Sequence, residues 1–146
     1  MSITPEWVWS CDMTVPGFSD EKNQLVEQIL LEMQRRNWLE REMFDVHIAL
    51  EEALSNALKH GNDSDPSKKI QVNCWLTSDR VTLEITDEGA GFDPDTIPDP
   101  RHPDHLLIPS GRGLLIIRHH MTTVNFSSNG NTIIMEKVHK SPDVAS

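Results

Sequence analysis

The chain has 146 residues, the length of one ordinary domain and enough to bury a core. Hydrophobic residues make up 37% and charged residues 25%, and the formal net charge is −10, a composition that excludes a disordered polyelectrolyte. The acidic balance disfavours direct nucleic-acid binding, since phosphate contacts need a basic surface. No apolar run approaches the ~20 residues that span a bilayer, and no signal peptide is visible, so we expect a cytoplasmic protein without membrane contacts. Two cysteines, Cys11 and Cys74, are too few for a disulfide framework or a four-cysteine zinc site.

The first elements show two different periodicities. Apolar residues at every second position from 7 to 15 predict a half-buried strand. Ser19 is a good N-cap for the helix that follows, in which apolar residues recur at helical spacing from Leu25 to Met33. A second helix is predicted from about 40 to 60, ending at Gly61, with apolar residues most of the way round.

The second half of the chain predicts two hairpins separated by a long loop. Residues 70–77 and 81–86 alternate between apolar and polar side chains and are joined by a tight turn. A loop rich in proline and aspartate follows, between Gly91 and Gly111. Residues 114–120 predict a helix. Asn129-Gly130 is a strong turn signal between strands at 124–126 and 132–138.

This order of elements predicts an α/β two-layer sandwich, with a mixed, mostly antiparallel sheet covered on one face by helices. Strands outnumber the gaps that helical crossovers could fill, which is why most pairs should be antiparallel. We expect one domain over residues 1–146, with a core at about 5–139 and a loose tail at 140–146.

The first candidate site lies on the second helix. Glu52 and Asn56 are four residues apart and therefore share a helix face, which Lys59 and His60 would extend by one turn. The carboxylate could accept a proton, and the amide oxygen is a hard ligand suited to Mg²⁺. An ordinary solvated stripe is the alternative, but the apolar neighbours favour a narrow, partly buried polar face.

The second candidate is the end of the third strand. Asp87 continues the buried parity of that strand, so its carboxylate needs a hydrogen-bond donor, and the exocyclic amine of adenine would suit it. Gly89 and Gly91 would let the backbone approach a ligand closely. A simple strand-ending turn is the alternative.

The third candidate is the stretch Gly111-Arg112-Gly113. Glycines before a helix leave backbone N–H groups free, and the helix dipole favours an anion such as a phosphate there. A plain glycine turn is the alternative. The loop at about 92–110 could close over a nucleotide as a lid, or be a variable surface insertion.

In this order the candidates resemble the N box, first glycine box, lid and second glycine box of the GHKL ATPase superfamily. The strings that carry the resemblance are EEALSNALKHGN at 51–62, ITDEGAGFDP at 85–94 and LLIPSGRGLLIIRHHMTTV at 106–124. The details are most similar to anti-sigma-factor serine kinases of the RsbW and SpoIIAB type. The resemblance implies a Bergerat-type ATP-binding fold over nearly the whole chain.

The resemblance also implies a role for each motif residue. Glu52 matches the general base, Asn56 the Mg²⁺ ligand and Asp87 the adenine-binding carboxylate. Glu51 points about 100° away round the helix and is the weaker candidate for the base. The remaining ATP-binding residues that it implies are Lys59, His60, Gly89, Gly91, Gly111, Arg112 and Gly113.

The function implied is that of a bacterial cytoplasmic serine/threonine-protein kinase and anti-sigma factor. It would use ATP and Mg²⁺ to phosphorylate a STAS-type anti-anti-sigma protein, would sequester a sigma factor in alternation, and would form a homodimer. Three alternatives share the nucleotide site: a non-catalytic ATP-binding regulatory module, a GHKL ATPase without protein-kinase activity, and the catalytic domain of a histidine kinase. The chain shows no transducer domain and no histidine-bearing helix pair, which weakens the last two.

Overall fold

The computed structural model describes residues 9–16, 20–61, 65, 67–89, 109–127 and 130–140. Within them five strands and three helices follow one another in the predicted order. The elements are β1 (Trp9–Pro16), α1 (Asp20–Arg35), α2 (Glu40–Asn56), a π-helical turn (Ala57–Gly61), β2 (Lys69–Leu76), β3 (Arg80–Thr86), α3 (Pro109–His120), β4 (Thr123–Phe126) and β5 (Thr132–Val138).

The strands form one five-stranded sheet in the order β1-β2-β3-β5-β4. All four described pairings are antiparallel, so the prediction of a mostly antiparallel sheet is confirmed. The two predicted hairpins, β2–β3 and β4–β5, are also confirmed. The register sets Cys11 opposite Cys74, and Ile85 opposite Ile133.

Period-two alternation directs one face of the sheet towards the helices. In β2 and β3 every second side chain is fully buried, whereas the intervening polar side chains are partly or fully exposed. Burying an aliphatic side chain of this size stabilises the fold by about 1.5–3 kcal/mol. The core side chains of these two strands are Ile70, Val72, Cys74, Leu76, Val81, Leu83 and Ile85.

Strand β1 lies at the edge of the sheet, and its helix-facing side is covered only in part. Val15 is fully buried, Trp9 and Cys11 are half-buried, and Met13 is 40% exposed. The predicted apolar side chains of β1 therefore share one face of the strand, as expected. They are less buried than predicted, because the helices cover the edge of the sheet less completely than its centre. Trp7 and the predicted N-cap Ser19 lie outside the described residues.

Helix α1 buries an acidic side chain by pairing it. Glu32 is 6% exposed and contacts Arg35 at 2.9 Å and Arg36 at 2.8 Å, while Gln28 donates a further hydrogen bond. The Arg36 bond outweighs desolvation and holds the pKa of Glu32 below its ordinary value. After the helix, Asn37 adopts a left-handed φ of 63°, which turns the chain towards α2.

The structure corrects the predicted limits of the second and third helices. The second is a regular α-helix only to Asn56, and residues 57–61 continue it as a π-helical turn. The third begins at Pro109 rather than at 114; proline suits the first helical position because it lacks an N–H that would be unpaired there. It therefore takes in residues 109 and 110 of the predicted lid, of which 92–108 lie outside the described residues.

Helices α2 and α3 pack against each other in opposite directions. The first residues of α3 meet the last turns of α2, and His120 at the end of α3 meets Asp45 in the first half of α2. We call the first of these the site end of the helix pair and the second the opposite end. None of the described helices is long and apolar enough to cross a membrane.

A carboxylate of α2 joins three elements at the opposite end. Asp45 lies 2.8 Å from Nδ1 of His120 and accepts a hydrogen bond of 2.9 Å from Nζ of Lys137. The same Lys137 Nζ donates to the backbone oxygen of His120 at 2.7 Å. Strand β5 and helices α2 and α3 are thereby held together.

A second carboxylate at the opposite end is almost fully buried. Glu42 is 3% exposed, and its side chain accepts hydrogen bonds from the amides of Leu39 at 2.9 Å and Lys140 at 2.6 Å. Nδ1 of His139 lies 2.6 Å from the same carboxylate. Lys140, the first residue of the predicted loose tail, is thus tied to α2, and residues 141–146 lie outside the described part.

Candidate functional site

The structure brings three of the predicted site residues together where α2 and α3 meet. Glu52 and Asn56 face the first turns of α3, at Gly113. A Cβ placed on Gly113 would lie 2.5 Å from Nδ2 of Asn56 and 2.8 Å from Oε1 of Glu52. Real Cβ atoms essentially never approach so closely, so any side chain at position 113 would displace the ends of the Asn56 and Glu52 side chains.

The polar groups at this junction are left available for a ligand. Among the described residues, the side chains of Glu52 and Asn56 have no hydrogen-bond partner, although both are half-buried. A carboxylate and an amide that are half-buried and unpaired within the protein are suited to contact a ligand or take part in a reaction. The i, i+4 spacing predicted this pair, and the structure shows that Gly113 of α3 packs against both side chains.

The structure also separates Glu52 from its neighbour. Glu51 is exposed, whereas Glu52 is half-buried against Gly113. The rotation of about 100° between adjacent helical residues is the cause. The geometry therefore favours Glu52 over Glu51 as the carboxylate that meets a substrate at this junction.

Lys59 and His60 lie on the π-helical turn Ala57–Gly61 rather than on a further turn of regular α-helix. The π-helical turn changes the angle between successive side chains, so the prediction that these two residues share the face of Glu52 and Asn56 stays a prediction. Lys59 is exposed, and the side chain of His60 lies outside the described part. Single π-helical turns within α-helices are frequent at functional sites.

Asp87 follows the last residue of β3 and is half-buried, as its parity predicted. Desolvation raises the pKa of its carboxyl, although the amide of Gly89 donates a 2.7 Å hydrogen bond to Oδ1. Burial therefore disfavours the negative charge of the Asp87 carboxylate, and a hydrogen-bond donor from a ligand would stabilise that charge. Gly91 lies outside the described residues.

Asn131 is a neighbour of Asp87 that the sequence analysis missed. The Asp87 amide donates to the backbone oxygen of Asn131 at 3.0 Å, and Nδ2 of Asn131 lies 3.4 Å from the backbone oxygen of Asp87. These contacts hold the end of β3 against the start of β5. The signal was the position just after the Asn129-Gly130 turn, but only the strand register shows which residue it meets.

Gly111 and Arg112 lie in the first turn of α3 and do not precede it as predicted. The first amides of an α-helix have no partner within the helix, so this turn still presents N–H groups and the positive end of the dipole. The side chain of Arg112 lies outside the described part. The proposed phosphate contact accordingly rests on the backbone.

These groups all lie at one end of the sandwich. The chain passes from Gly61, at the end of the π-helical turn that follows α2, to Lys69, at the start of β2, in eight residues, and the π-helical turn packs against β2. The side chain of Glu88, next to Asp87, accepts a hydrogen bond from the Lys69 amide. The carboxylate at the end of β3 and the junction of α2 with α3 therefore open on the same edge.

The described residues contain no group of three or more histidine, cysteine, aspartate or glutamate side chains that could hold a metal ion. A protein-only metal centre is thus not present in that part of the chain. The oxygen of Asn56 suits Mg²⁺, which binds through few protein ligands when phosphate oxygens and water supply the rest.

Residues 19–137 match the family model described as a histidine kinase-like ATPase domain. The chain belongs to this family. The resemblance carried by the three motifs is therefore confirmed, and the Bergerat-type expectation agrees with a sheet covered by helices on one face.

Several relatives of this histidine kinase-like ATPase domain are named as anti-sigma factors or as protein kinases. The chain is 30% identical over 103 residues to an anti-sigma F factor of Oceanobacillus iheyensis, covering 66% of this chain and 69% of that protein. It is 29% identical over 137 residues to the serine-protein kinase RsbW of the same organism, covering 90% and 78%. A serine/threonine-protein kinase, BtrW of Bordetella bronchiseptica, is 30% identical over 94 residues, covering 63% and 66%.

A solved structure supports the fold. The chain superposes on a crystal structure of the RsbU and RsbW domains of a Mycobacterium tuberculosis protein with a TM-score of 0.60 at 16% identity. The match covers 90% of this chain and 32% of that longer one. The structural similarity therefore extends over nearly all of this histidine kinase-like ATPase domain.

Proposed function

We propose that the protein is an ATP-dependent serine/threonine-protein kinase and anti-sigma factor. In this proposal it phosphorylates a STAS-type anti-anti-sigma protein and sequesters a sigma factor in alternation. The observation that carries the proposal is the junction of Glu52 and Asn56 with Gly113, which presents an unpaired carboxylate and amide in a domain of this family. The relatives named as RsbW, BtrW and anti-sigma F factor support the same function.

The nucleotide would be held at both ends of the site. Asp87 accepts a hydrogen bond from the exocyclic amine of adenine, with Gly89 and Gly91 shaping the pocket. Lys59, His60 and the start of α3 at Gly111, Arg112 and Gly113 meet the phosphates, with the free amides of the first turn as donors. The loop before α3 closes over the nucleotide and excludes water.

The oxygen of Asn56 would hold Mg²⁺, whose positive charge, when it is bound, offsets that of the phosphates. The exposed ammonium group of Lys59 and the dipole of α3 add to this effect. None of these contacts requires a covalent bond to the protein.

Glu52 is the group that moves a proton. Its carboxylate accepts or orients the proton of a serine or threonine hydroxyl of the partner protein, whose oxygen forms a bond to the γ-phosphorus. The bond between that phosphorus and the bridging oxygen breaks, and ADP leaves. Because Glu52 is already half-buried and has no partner among the described residues, it does not have to break a bond within the protein first.

A phosphotransfer assay tests the kinase. The protein is mixed with Mg-ATP and each STAS-domain protein of the same genome, and the intact mass of each is measured for the gain of one phosphate. Glu52→Gln and Asn56→Ala should abolish the gain. The matched control is Glu51→Gln, which changes an exposed glutamate one residue away and should leave transfer intact.

Nucleotide binding measured on the same variants separates the alternatives. Tight ATP binding with no transfer would contradict the kinase for the substrates tested and support a non-catalytic ATP-binding module. Steady ADP release without any phosphoprotein would support an ATPase instead.

The partner and assembly proposals need their own measurements. Co-purification with each sigma factor of the genome, with and without the unphosphorylated STAS protein, tests alternating binding. Sedimentation equilibrium of the full chain tests the homodimer. A single mass equal to that of one chain over a wide concentration range would contradict the dimer without affecting the kinase.

A further inference from the structure

The two cysteines of the chain face each other across neighbouring strands. Cys11 on β1 and Cys74 on β2 are directly opposite in the antiparallel register. Directly opposite residues have Cα atoms about 4.5–5.5 Å apart, within the range of roughly 4.4–6.8 Å found in disulfides. The backbone would therefore need little adjustment to accept a bond between the two sulfur atoms.

The two thiols differ in access to solvent. Cys74 lies in the core and is 0% exposed, whereas Cys11 is half-buried at the thinly covered edge of the sheet. Cys11 is therefore the sulfur that a small solute meets first, with Cys74 directly behind it. This arrangement of an accessible and a buried thiol is typical of an attacking and a resolving cysteine.

The thiols also influence each other electrostatically. A hydrogen bond from the Cys74 thiol lowers the pKa of Cys11, despite an opposing effect of desolvation. The same contact, followed by burial, raises the pKa of Cys74. The more accessible sulfur thus ionises more readily, and a thiolate is the reactive form of cysteine.

We propose that Cys11 and Cys74 are a redox-modification site that forms an intramolecular disulfide on exposure to an oxidant of the peroxide class. The site is separate from the nucleotide site and does not depend on the proposed kinase activity. It makes no use of a metal or cofactor.

The reaction proceeds in two balanced steps. The Cys11 thiolate attacks one oxygen of hydrogen peroxide, the O–O bond breaks, and a sulfenic acid and hydroxide form. The sulfur of Cys74 then attacks the sulfur of Cys11, the S–O bond breaks, and water leaves with the proton of Cys74. The pair gives up two electrons, the peroxide is reduced to two water molecules, and a dithiol reverses the change.

The disulfide would close a loop that contains α1 and α2, with Glu52 and Asn56 inside it. It would also tie β1, an edge strand of the described sheet, covalently to β2. Closing a loop of this length restricts the unfolded chain. We therefore expect the oxidised protein to melt several degrees above the reduced protein.

The test treats the full chain with a small excess of hydrogen peroxide. The sample is then denatured, alkylated with N-ethylmaleimide and weighed by mass spectrometry. The expected product has lost two hydrogen atoms, carries no maleimide, and yields a peptide that joins Cys11 to Cys74 on non-reducing digestion. Dithiothreitol before alkylation should restore two maleimide additions.

Two variants test the order of the steps. Cys74→Ser should accumulate a sulfenic acid at Cys11, which dimedone traps, because the resolving thiol is gone. Cys11→Ser should leave Cys74 unreacted on the same time scale and should lose the rise in melting temperature. Faster oxidation of Cys74 than of Cys11 would overturn the assigned order.

The wild-type result decides the proposal even if a variant folds poorly. Two alkylated thiols after peroxide treatment would overturn it. So would over-oxidation of Cys11 beside a free Cys74 thiol, or a disulfide that joins two chains. Because these outcomes concern sulfur alone, they leave the phosphotransfer assay to decide the function separately.

Discussion

The polar side chains at the two ends of the α2–α3 pair differ in whether they have hydrogen-bond partners within the protein. At the opposite end, Glu42 and Asp45 are each bound by a histidine and by further donors. At the site end, Glu52 and Asn56 have no partner among the described residues. The same two helices thus carry a paired end, which stabilises the fold, and an end without such pairs, where we propose that the nucleotide binds. Natural proteins commonly accept a local loss of stability at a functional site.

The largest change should follow Glu42→Ala, which removes the most buried carboxylate of the opposite end. Three donors would lose their acceptor, so we expect the free energy of unfolding to fall by about 3–5 kcal/mol. Urea denaturation followed by circular dichroism measures it. Glu40→Ala, an exposed position two residues earlier, should change stability by less than about 0.5 kcal/mol. Equal effects would show that the opposite end is not a stabilising cluster.

Asp45→Asn should have the next largest effect and should change the pH dependence. Burial opposes the charge of Asp45, but its bonds to His120 and Lys137 prevail and lower its pKa. Losing a charge-assisted hydrogen bond costs about 1.5–3 kcal/mol at neutral pH.

The sign of the pH effect follows from that lowered pKa. The stabilisation is present above the unfolded pKa, about 3.9, and is lost as the pH falls through the folded value. Wild-type stability should therefore fall more steeply below about pH 4 than that of Asp45→Asn. Parallel curves from urea titrations between pH 7 and pH 3 would contradict the assignment. Glu51→Gln is the exposed control.

Gly113→Ala probes the site end. The added Cβ would displace the ends of the Asn56 and Glu52 side chains, the groups proposed to meet Mg-ATP, and losing contacts of this kind costs about 1–3 kcal/mol of binding free energy. We expect Mg-ATP to bind about 5- to 150-fold more weakly in calorimetry. The fold should be less affected, because alanine favours the helix by about 1 kcal/mol over glycine.

The control for Gly113→Ala is Arg118→Ala, at an exposed position of the same helix. It should bind Mg-ATP as the wild type does. An unchanged affinity for Gly113→Ala would mean that the junction does not contact the nucleotide.

The smallest change in stability should come from Asp87→Asn, and its sign should be opposite. Desolvation raises the pKa of Asp87, so its charge opposes folding above the folded pKa, and the neutral amide relieves this. Asparagine also keeps an acceptor for the Gly89 amide. Solvent screening limits the gain to about 0.5 kcal/mol at pH 7, and none is expected below the unfolded pKa near 3.9.

The same variant should lose nucleotide affinity while it gains stability. Thermal melting and Mg-ATP calorimetry on one sample measure both effects. Asp79→Asn, at an exposed aspartate in the β2–β3 turn, should change neither. A loss of stability in Asp87→Asn would show that Asp87 belongs with the paired carboxylates rather than with the site.

Local patterns in the sequence predicted the elements and singled out all three residues that meet at the site end. The i, i+4 spacing was sufficient to pair Glu52 with Asn56, because both lie on one helix. Their contact with Gly113 depends on how α2 packs against α3, and no local pattern records that. The same holds for Glu42 and His139, which are far apart in the chain.

Two further features could not be predicted for different reasons. Alternation placed Cys11 and Cys74 on inward strand faces, but their meeting depends on strand register across a long connection. The π-helical turn has no periodicity signal of its own, because five residues are too few to separate it from a regular helical turn.

The π-helical turn Ala57–Gly61 has a consequence for comparing this chain with its relatives. A π-helical turn accommodates one residue more than an α-helical turn of the same rise, so it is equivalent to a single-residue insertion. Deleting one residue there would restore a regular helical turn and leave the residues on either side close to their present positions. A relative one residue shorter in this helix would therefore align correctly only with its gap placed between 57 and 61, and a gap placed elsewhere would displace Lys59 and His60 from their counterparts.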